Sequence, residues 1–363
     1  MKTRLAATLA VAALALTGCT KSAAPQDSVS QPTDQLNQTV DADPAAENMA
    51  TQCSSGTPVS GRPLRVVTSV APVTSLVGQM VAGTDVKVEG IVPESANSHT
   101  YSLTPADLEK LAGADVVIAV GLAMERDFLD AAKSAMQDGA VLCELGTASI
   151  QKSDYLHDGT FTQESGTPNP HVWLNPQLAL RFLNHARDAV TARAATVADA
   201  VDANYVALSR QAMELDTAMK AAVETVPVRN RTLHMFHDSL AYFASHFKFE
   251  IGLAFQAPGF TEPTPVEVAD AVATIASDKA PAFFGNTEFP GAFHDEIEAA
   301  TGTKVTMISD EDLPGAPGGA DHSFGGLLRE TFTRIVTALG GDPSALSKVD
   351  VAAVAGDRAS YPQ

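Results

Sequence analysis

The chain has 363 residues, of which 45% are hydrophobic and 18% are charged, so it is long enough for two or three domains with buried cores. Its 43 acidic residues outnumber its 24 basic residues and give a formal net charge of −19. Phosphate backbones repel such an acidic chain, which excludes nucleic-acid binding as a leading function. Beyond the N-terminal segment no apolar run approaches the ~20 residues of a membrane-spanning helix, which excludes a transmembrane protein.

The N-terminal segment predicts export from the cytoplasm. Lys2 and Arg4 precede an apolar run over residues 5–16, a pattern typical of a secretory signal peptide. The tetrapeptide LTGC at residues 16–19 resembles the lipobox of bacterial lipoproteins. The resemblance implies cleavage before Cys19 and a lipid on its thiol, which anchors the protein outside the cytoplasm, in the periplasm or at the cell surface. An ordinary signal peptide with a chance cysteine is the alternative.

The segment that follows is predicted to be a disordered tether. Residues 19–61 contain no aromatic residue and are rich in Ser, Thr, Gln, Asp and Pro, so they cannot bury enough apolar area to offset the entropy of ordering. If Cys19 carries a lipid, Cys53 and Cys143 remain, and in an oxidising compartment we expect them to form a disulfide. Two free thiols are the alternative.

Short apolar strands alternate with helices through the rest of the chain. Strands are predicted at 64–70, 86–92, 115–120 and 140–145, and again at 232–236, 249–254, 282–285 and 304–309. The helices between them include one that Thr104 caps, with Pro105 in its first position. Buried strands that alternate with helices indicate an α/β fold with two parallel-sheet lobes.

A segment without glycine or internal proline separates the two predicted lobes. Residues 176–224 are rich in Ala, Leu, Arg and Asp, which favours one long, stiff connecting helix of about 70 Å at ~1.5 Å per residue. Two helices with a kink are the alternative. The predicted domains are a signal peptide (1–18), a tether (19–61), an N-terminal lobe (62–175), a connecting helix (176–226), a C-terminal lobe (227–345) and a C-terminal tail (346–363).

Four polar side chains lie in loops that follow predicted strands or precede the connecting helix. They are His99, His171, His237 and Asp310. Ligands of open α/β sheets bind beyond the carboxyl ends of the strands, so these positions suit a shared cleft between the lobes. The spacing forms no local metal motif, and unrelated loop histidines are the alternative at this level of argument.

Several longer motifs recur in an order that narrows the choice. PESANSHTY at 93–101, NPHVWLNP at 169–176, HDSLAYF at 237–243 and EPTP at 262–265 resemble the metal-binding lipoproteins of zinc and manganese ABC importers. The resemblance extends from about residue 64 to 339 and implies two α/β lobes bridged by a long helix.

The resemblance also implies a ligand set and a role. Its metal ligands fall on His99, His171, His237 and Asp310; His234 and Asp321 are weaker rivals. Three imidazoles and one carboxylate favour Zn²⁺, whereas a second carboxylate would favour Mn²⁺. The expected protein is a monomeric, lipid-anchored receptor without enzymatic activity that captures Zn²⁺ and delivers it to an ABC permease of the inner membrane.

Three other functions remain as alternatives to zinc or manganese capture. They are a metal-dependent surface adhesin, a zinc hydrolase in which water takes the place of Asp310, and a helix-bridged receptor for metal chelates. The chain contains no phosphate-binding G-x-x-x-x-G-K-[ST] loop, so ATP hydrolysis is assigned to another component of the importer.

Overall fold

The protein is described by a computed structural model that covers residues 43–257, 259–287, 289, 291–353 and 356–362. The predicted signal peptide, the predicted lipidation site at Cys19 and the tether up to residue 42 lie outside the described residues. Within the described part, no helix combines the length and the apolar character needed to cross a membrane.

The N-terminal lobe is a parallel sheet covered by helices. Its strands are β1 (Arg65–Thr68), β2 (Lys87–Gly90), β3 (Val116–Ala119) and β4 (Val141–Glu144), and its helices are α1 (Pro44–Cys53), α2 (Ala71–Met80), α3 (Pro105–Ala112), α4 (Arg126–Ala135) and α5 (Leu145–Ser149). The strand order is β2-β1-β3-β4, and every pairing is parallel. Strand β3 reads VVIA and is buried at every position, as a central strand between two helical layers must be.

The C-terminal lobe repeats this arrangement. Its strands are β5 (Thr232–Met235), β6 (Glu250–Ala254), β7 (Ala282–Asn286) and β8 (Lys304–Ile308), and its helices are α8 (Ala241–Phe247), α9 (Pro265–Asp278), α10 (Ala292–Thr301) and α11 (Phe324–Ala338). The order β6-β5-β7-β8 matches that of the first lobe position by position. The prediction of two parallel-sheet α/β lobes is confirmed.

A helical hairpin, rather than a single rod, occupies the predicted connecting segment. Helix α6 (Pro176–Thr191) ends six residues before α7 (Ala198–Thr225), the long helix that joins the lobes. The hairpin is antiparallel, since Arg187 of α6 lies 3.9 Å from Asp202 and 4.7 Å from the centre of the Tyr205 ring on α7. Helix α7 is therefore about 42 Å long at ~1.5 Å per residue, shorter than predicted.

Tertiary contacts of Arg193 stabilise the break between α6 and α7. Its buried guanidinium donates to the carbonyls of Thr57 and Gly139 at 3.2 and 2.9 Å, and its own carbonyl accepts from the Val59 N–H at 2.8 Å. These partners are distant in sequence. For this reason the break forms without a glycine or proline in the segment, and nothing local in the sequence indicates it.

The predicted tether is ordered over part of its length, which corrects the expectation for residues 44–53. These residues form α1, which Asp43 caps by accepting from the Ala45 N–H at 2.9 Å. The disulfide between Cys53 and Cys143 fastens the end of α1 to β4 and confirms the predicted pairing. Gln52 adds a hydrogen bond of 2.7 Å to the carbonyl of Leu142. A covalent bond and tertiary contacts thus compensate for the absence of aromatic residues.

The C-terminal tail returns to the first lobe. Ser360 exchanges hydrogen bonds of 2.9 Å with the Val88 carbonyl and the Gly90 N–H, so the tail pairs with the outer edge of β2. This pairing covers a strand edge that would otherwise present unpaired backbone groups.

We expect the disulfide to contribute substantially to stability because it closes a loop of 90 residues in the unfolded chain. Replacing Cys53 and Cys143 together by serine should lower the free energy of unfolding by about 2–4 kcal/mol. Urea unfolding with and without reductant measures this. Reductant should destabilise only the parent protein, and a parent protein with an unchanged midpoint under full reduction would contradict the prediction.

Candidate metal centre

Three of the predicted ligands lie in loops at the carboxyl ends of strands, and the fourth, His171, lies in the loop that leads into α6. His99 is in the loop after β2, His237 lies two residues after β5, and Asp310 lies two residues after β8. His171 immediately precedes the short 3-10 turn Val172–Leu174 that leads into α6. Parallel strands place all these loops on the same side of the two sheets, where the lobes meet.

Four side chains in this cleft can together hold a metal ion. One donor atom from each of His99, His171, His237 and Glu311 lies within 4.8 Å of all the others. The Nε2 atoms of His171 and His237 are 3.0 Å apart, and Nε2 of His99 is 4.0 Å from Oε1 of Glu311. Donors around a tetrahedral zinc ion with bonds of ~2.1 Å are about 3.4 Å apart, so the pair at 3.0 Å separates slightly and the more distant donors approach when such a shell forms.

The predicted ligand Asp310 lies at the edge of this group. Its Oδ2 atom is 3.6 Å from Nε2 of His237, and its carbonyl accepts a 3.0 Å hydrogen bond from the Trp173 indole. Glu311, which sequence reasoning missed, is the carboxylate that approaches His99. The available signal was the run of three acidic residues, 310–312, directly after a predicted strand.

Neither rival belongs to the site. Nε2 of His234 lies 2.9 Å from the Asp278 carboxylate, at the far end of α9. Asp321 accepts a 2.8 Å hydrogen bond from Arg329.

Water is largely excluded from the cluster. The side chains of His99, His237 and Asp310 are 2%, 0% and 1% exposed. The Phe260 ring, from the loop after β6, stacks on His99 with a centroid distance of 4.2 Å, and the Phe161 ring lies 5.8 Å away. The second lobe thus covers a ligand that the first lobe supplies.

Hydrogen bonds fix the protonated nitrogen of His171. Its Nδ1 is 2.9 Å from Oδ1 of Asn169, whose Nδ2 donates to the carbonyl of Asp238 at 2.7 Å. Because the amide nitrogen is committed to that carbonyl, the amide oxygen must face the ring, so Nδ1 carries the proton and Nε2 keeps its lone pair. Asn175, the other asparagine of this motif, instead caps α6 through the Gln177 N–H at 2.9 Å.

A side-chain amide also lies beside His237, whose Nδ1 is 2.5 Å from Oε1 of Gln256. When each Nδ1 donates to its amide oxygen, the Nε2 atoms of His171 and His237, which are 3.0 Å apart, both present lone pairs. Two lone pairs at that distance repel each other unless a cation lies between them.

The electrostatics also favour a bound cation. Burial lowers the pKa of His99 and of His171 well below its ordinary value, so both rings are neutral and able to coordinate. Burial, reinforced by the neighbouring Asp310, raises the pKa of Glu311 well above its usual range. Three buried atoms, Nε2 of His99, Oδ2 of Asp310 and Oε2 of Glu311, have no hydrogen-bond partner among the described residues. A metal ion would satisfy all three.

Comparison with known proteins identifies the family. The family model described as "Zinc-uptake complex component A periplasmic" matches residues 66–338. The chain is 24% identical to the zinc-binding protein TroA of Treponema pallidum over 77% of its own length and 89% of that protein. It is 23% identical to the manganese-binding lipoprotein MntA of Halalkalibacterium halodurans over 78% of its length and 91% of that protein.

Solved structures agree with this assignment at the level of the fold. The structure of TroA from Treponema pallidum superposes with a TM-score of 0.70 at 22% identity, over 77% of this chain and 99% of that one. A crystal structure of ZnuA gives a TM-score of 0.65 at 23% identity, over 77% of this chain and 100% of that one. The family model spans most of the chain, and the chain therefore belongs to the family of periplasmic zinc-uptake complex component A.

Proposed function

We propose that this protein is an extracytoplasmic receptor that captures Zn²⁺ between its lobes and delivers it to an ABC permease. His99, His171 and His237 supply three nitrogen ligands, and the adjacent carboxylates of Asp310 and Glu311 supply oxygen. The observation that carries the proposal is the 3.0 Å approach of two Nε2 atoms whose Nδ1 atoms both face amide oxygens. A cation bound by both nitrogens satisfies this arrangement.

The donor set favours zinc over manganese. Three neutral imidazoles form a nitrogen-rich site of the kind that Zn²⁺ prefers, whereas Mn²⁺ is better matched by carboxylate and carbonyl oxygen. The second buried carboxylate is the feature that favours manganese, and relatives named for each metal are found in the family. Direct competition between the two ions decides between them.

The same geometry supports capture rather than catalysis. Three imidazoles and one carboxylate fill a tetrahedral shell, so no position is left for the water molecule that a zinc hydrolase activates. Enclosure by Phe260 and Phe161 suits a carrier that shields its ion until it meets the permease. A lipid on Cys19 would keep the receptor at the membrane surface, close to that partner.

Replacing His171 by alanine should weaken zinc binding at least 100-fold, because it removes one of three nitrogen ligands, while Oδ1 of Asn169 keeps its 3.0 Å hydrogen bond from the backbone N–H of residue 171. Calorimetric titration of metal-free protein measures the affinity. His185 on α6 offers a matched control, since its replacement removes an imidazole outside the cluster. Parent-like zinc affinity in His171→Ala would refute the proposed site.

The pH dependence of zinc affinity should reflect the shifted pKa values of the ligand side chains. Because the pKa values of His99 and His171 lie well below 6.5, protons compete with zinc for these rings only in more acidic solution. Burial raises the pKa of Glu311, so this carboxyl releases a proton when it coordinates zinc, which adds to the loss of affinity as the pH falls. At lower pH, where protons also compete for the imidazoles, zinc affinity should fall more steeply as the pH decreases.

Competition with a chromophoric chelator between about pH 7.5 and 5 measures this curve. Glu311→Gln should flatten the portion near neutral pH and leave the steep acidic portion in place. A hundredfold loss per pH unit already centred on pH 6.5 would show that the rings titrate normally and would contradict the prediction.

A further inference from the structure

Gln256 is a buried polar residue to which the sequence analysis assigned no role. It lies two residues beyond β6, is 3% exposed, and donates its backbone N–H to the carbonyl of Phe236 at 2.9 Å. That bond extends the pairing of β5 with β6 and places Gln256 beside His237. The hydroxyl of Thr160 donates to the Gln256 carbonyl at 2.7 Å, so the loop that covers the site fixes this residue from the other side.

The three imidazoles share one pattern of hydrogen bonding. Nδ1 of His171 faces Oδ1 of Asn169, Nδ1 of His237 faces Oε1 of Gln256, and His99 hydrogen-bonds the backbone of Met124. Each partner is a neutral oxygen rather than a carboxylate. A carboxylate at this position would raise the basicity of the imidazole and strengthen its bond to the metal, whereas an amide orients the ring without adding charge.

We infer that Gln256 is a positioning residue for the metal. Its amide oxygen holds the proton of His237 on Nδ1, aims Nε2 at the ion, and keeps the ring less basic than an acidic partner would. The choice of an amide suits a receptor that must release its ion, because a weaker bond at His237 shortens the residence time of zinc. This inference rests on the proposed function and assigns a residue and a chemical role to it.

Nuclear magnetic resonance of the zinc-bound, ¹⁵N-labelled protein tests the hydrogen bond directly. A buried Nδ1 proton that donates to oxygen exchanges slowly with water, so we expect three protected imidazole N–H signals, one for each ligand histidine. In Gln256→Leu the signal of His237 should disappear while the other two persist, and zinc affinity should fall about 10- to 100-fold. A merely structural role of Gln256 would not remove one signal selectively.

A conservative variant and a matched control complete the experiment. Gln256→Glu retains an oxygen acceptor, so it should restore the His237 signal and slow zinc dissociation about tenfold or more. Gln163→Leu makes the same replacement at an exposed glutamine and should leave signals and affinity unchanged. If Gln256→Leu keeps all three signals and binds zinc with the affinity of the parent protein, the inference about Gln256 is wrong, while the proposed function is unaffected. If the parent protein binds no zinc, the proposed function fails instead.

Discussion

The site depends on the close approach of two imidazole nitrogens, one from each lobe, at the seam of the molecule. His171, which ends the first lobe, and His237, which follows the first strand of the second, approach to 3.0 Å through nitrogens that carry lone pairs. The neighbouring carboxylates of Asp310 and Glu311 are buried with unpaired oxygens. Burying such groups costs several kcal/mol each unless they are paired. One divalent ion removes these costs together.

The loops that carry the ligands are connected to each other across the cleft. The Ser95 N–H donates to Asp312 at 2.6 Å, and the Leu313 N–H donates to Glu94 at 3.0 Å. The first loop carries His99 and the second carries Asp310 and Glu311, so movement of one loop displaces ligands on both.

Much of the fold follows from local patterns in the sequence. Strand β3 is a continuous apolar run, and α3 begins at Thr104, whose hydroxyl accepts from the Asp107 N–H while the Asp107 carboxylate accepts from the Thr104 N–H. Such patterns act over a few residues and are visible without tertiary structure. The break between α6 and α7 depends on Arg193 and distant carbonyls, and the order of α1 depends on a disulfide. The break leaves no local signal, whereas α1 leaves a short one in Asp43 and Pro44 at its start.

The residues of the candidate site also differ in whether a local sequence signal indicated them. The predicted strand ends and the start of the connecting segment indicated where His99, His171, His237 and Asp310 would lie, because the topology of parallel sheets brings such loops together. Glu311 left only the signal of the acidic run 310–312, which does not tell its three carboxylates apart, and Gln256 left none, because its role depends on the position of His237 in the fold. The ligand set itself stays a prediction until a metal-bound structure is determined.

The most direct test is the crystal structure of zinc-loaded protein with anomalous data collected at the zinc absorption edge. We expect one anomalous peak in the cleft, at ~2.1 Å from Nε2 of His99, His171 and His237 and from a carboxylate oxygen of Asp310 or Glu311. A peak elsewhere, or one coordinated by fewer than three of these imidazoles, would contradict it.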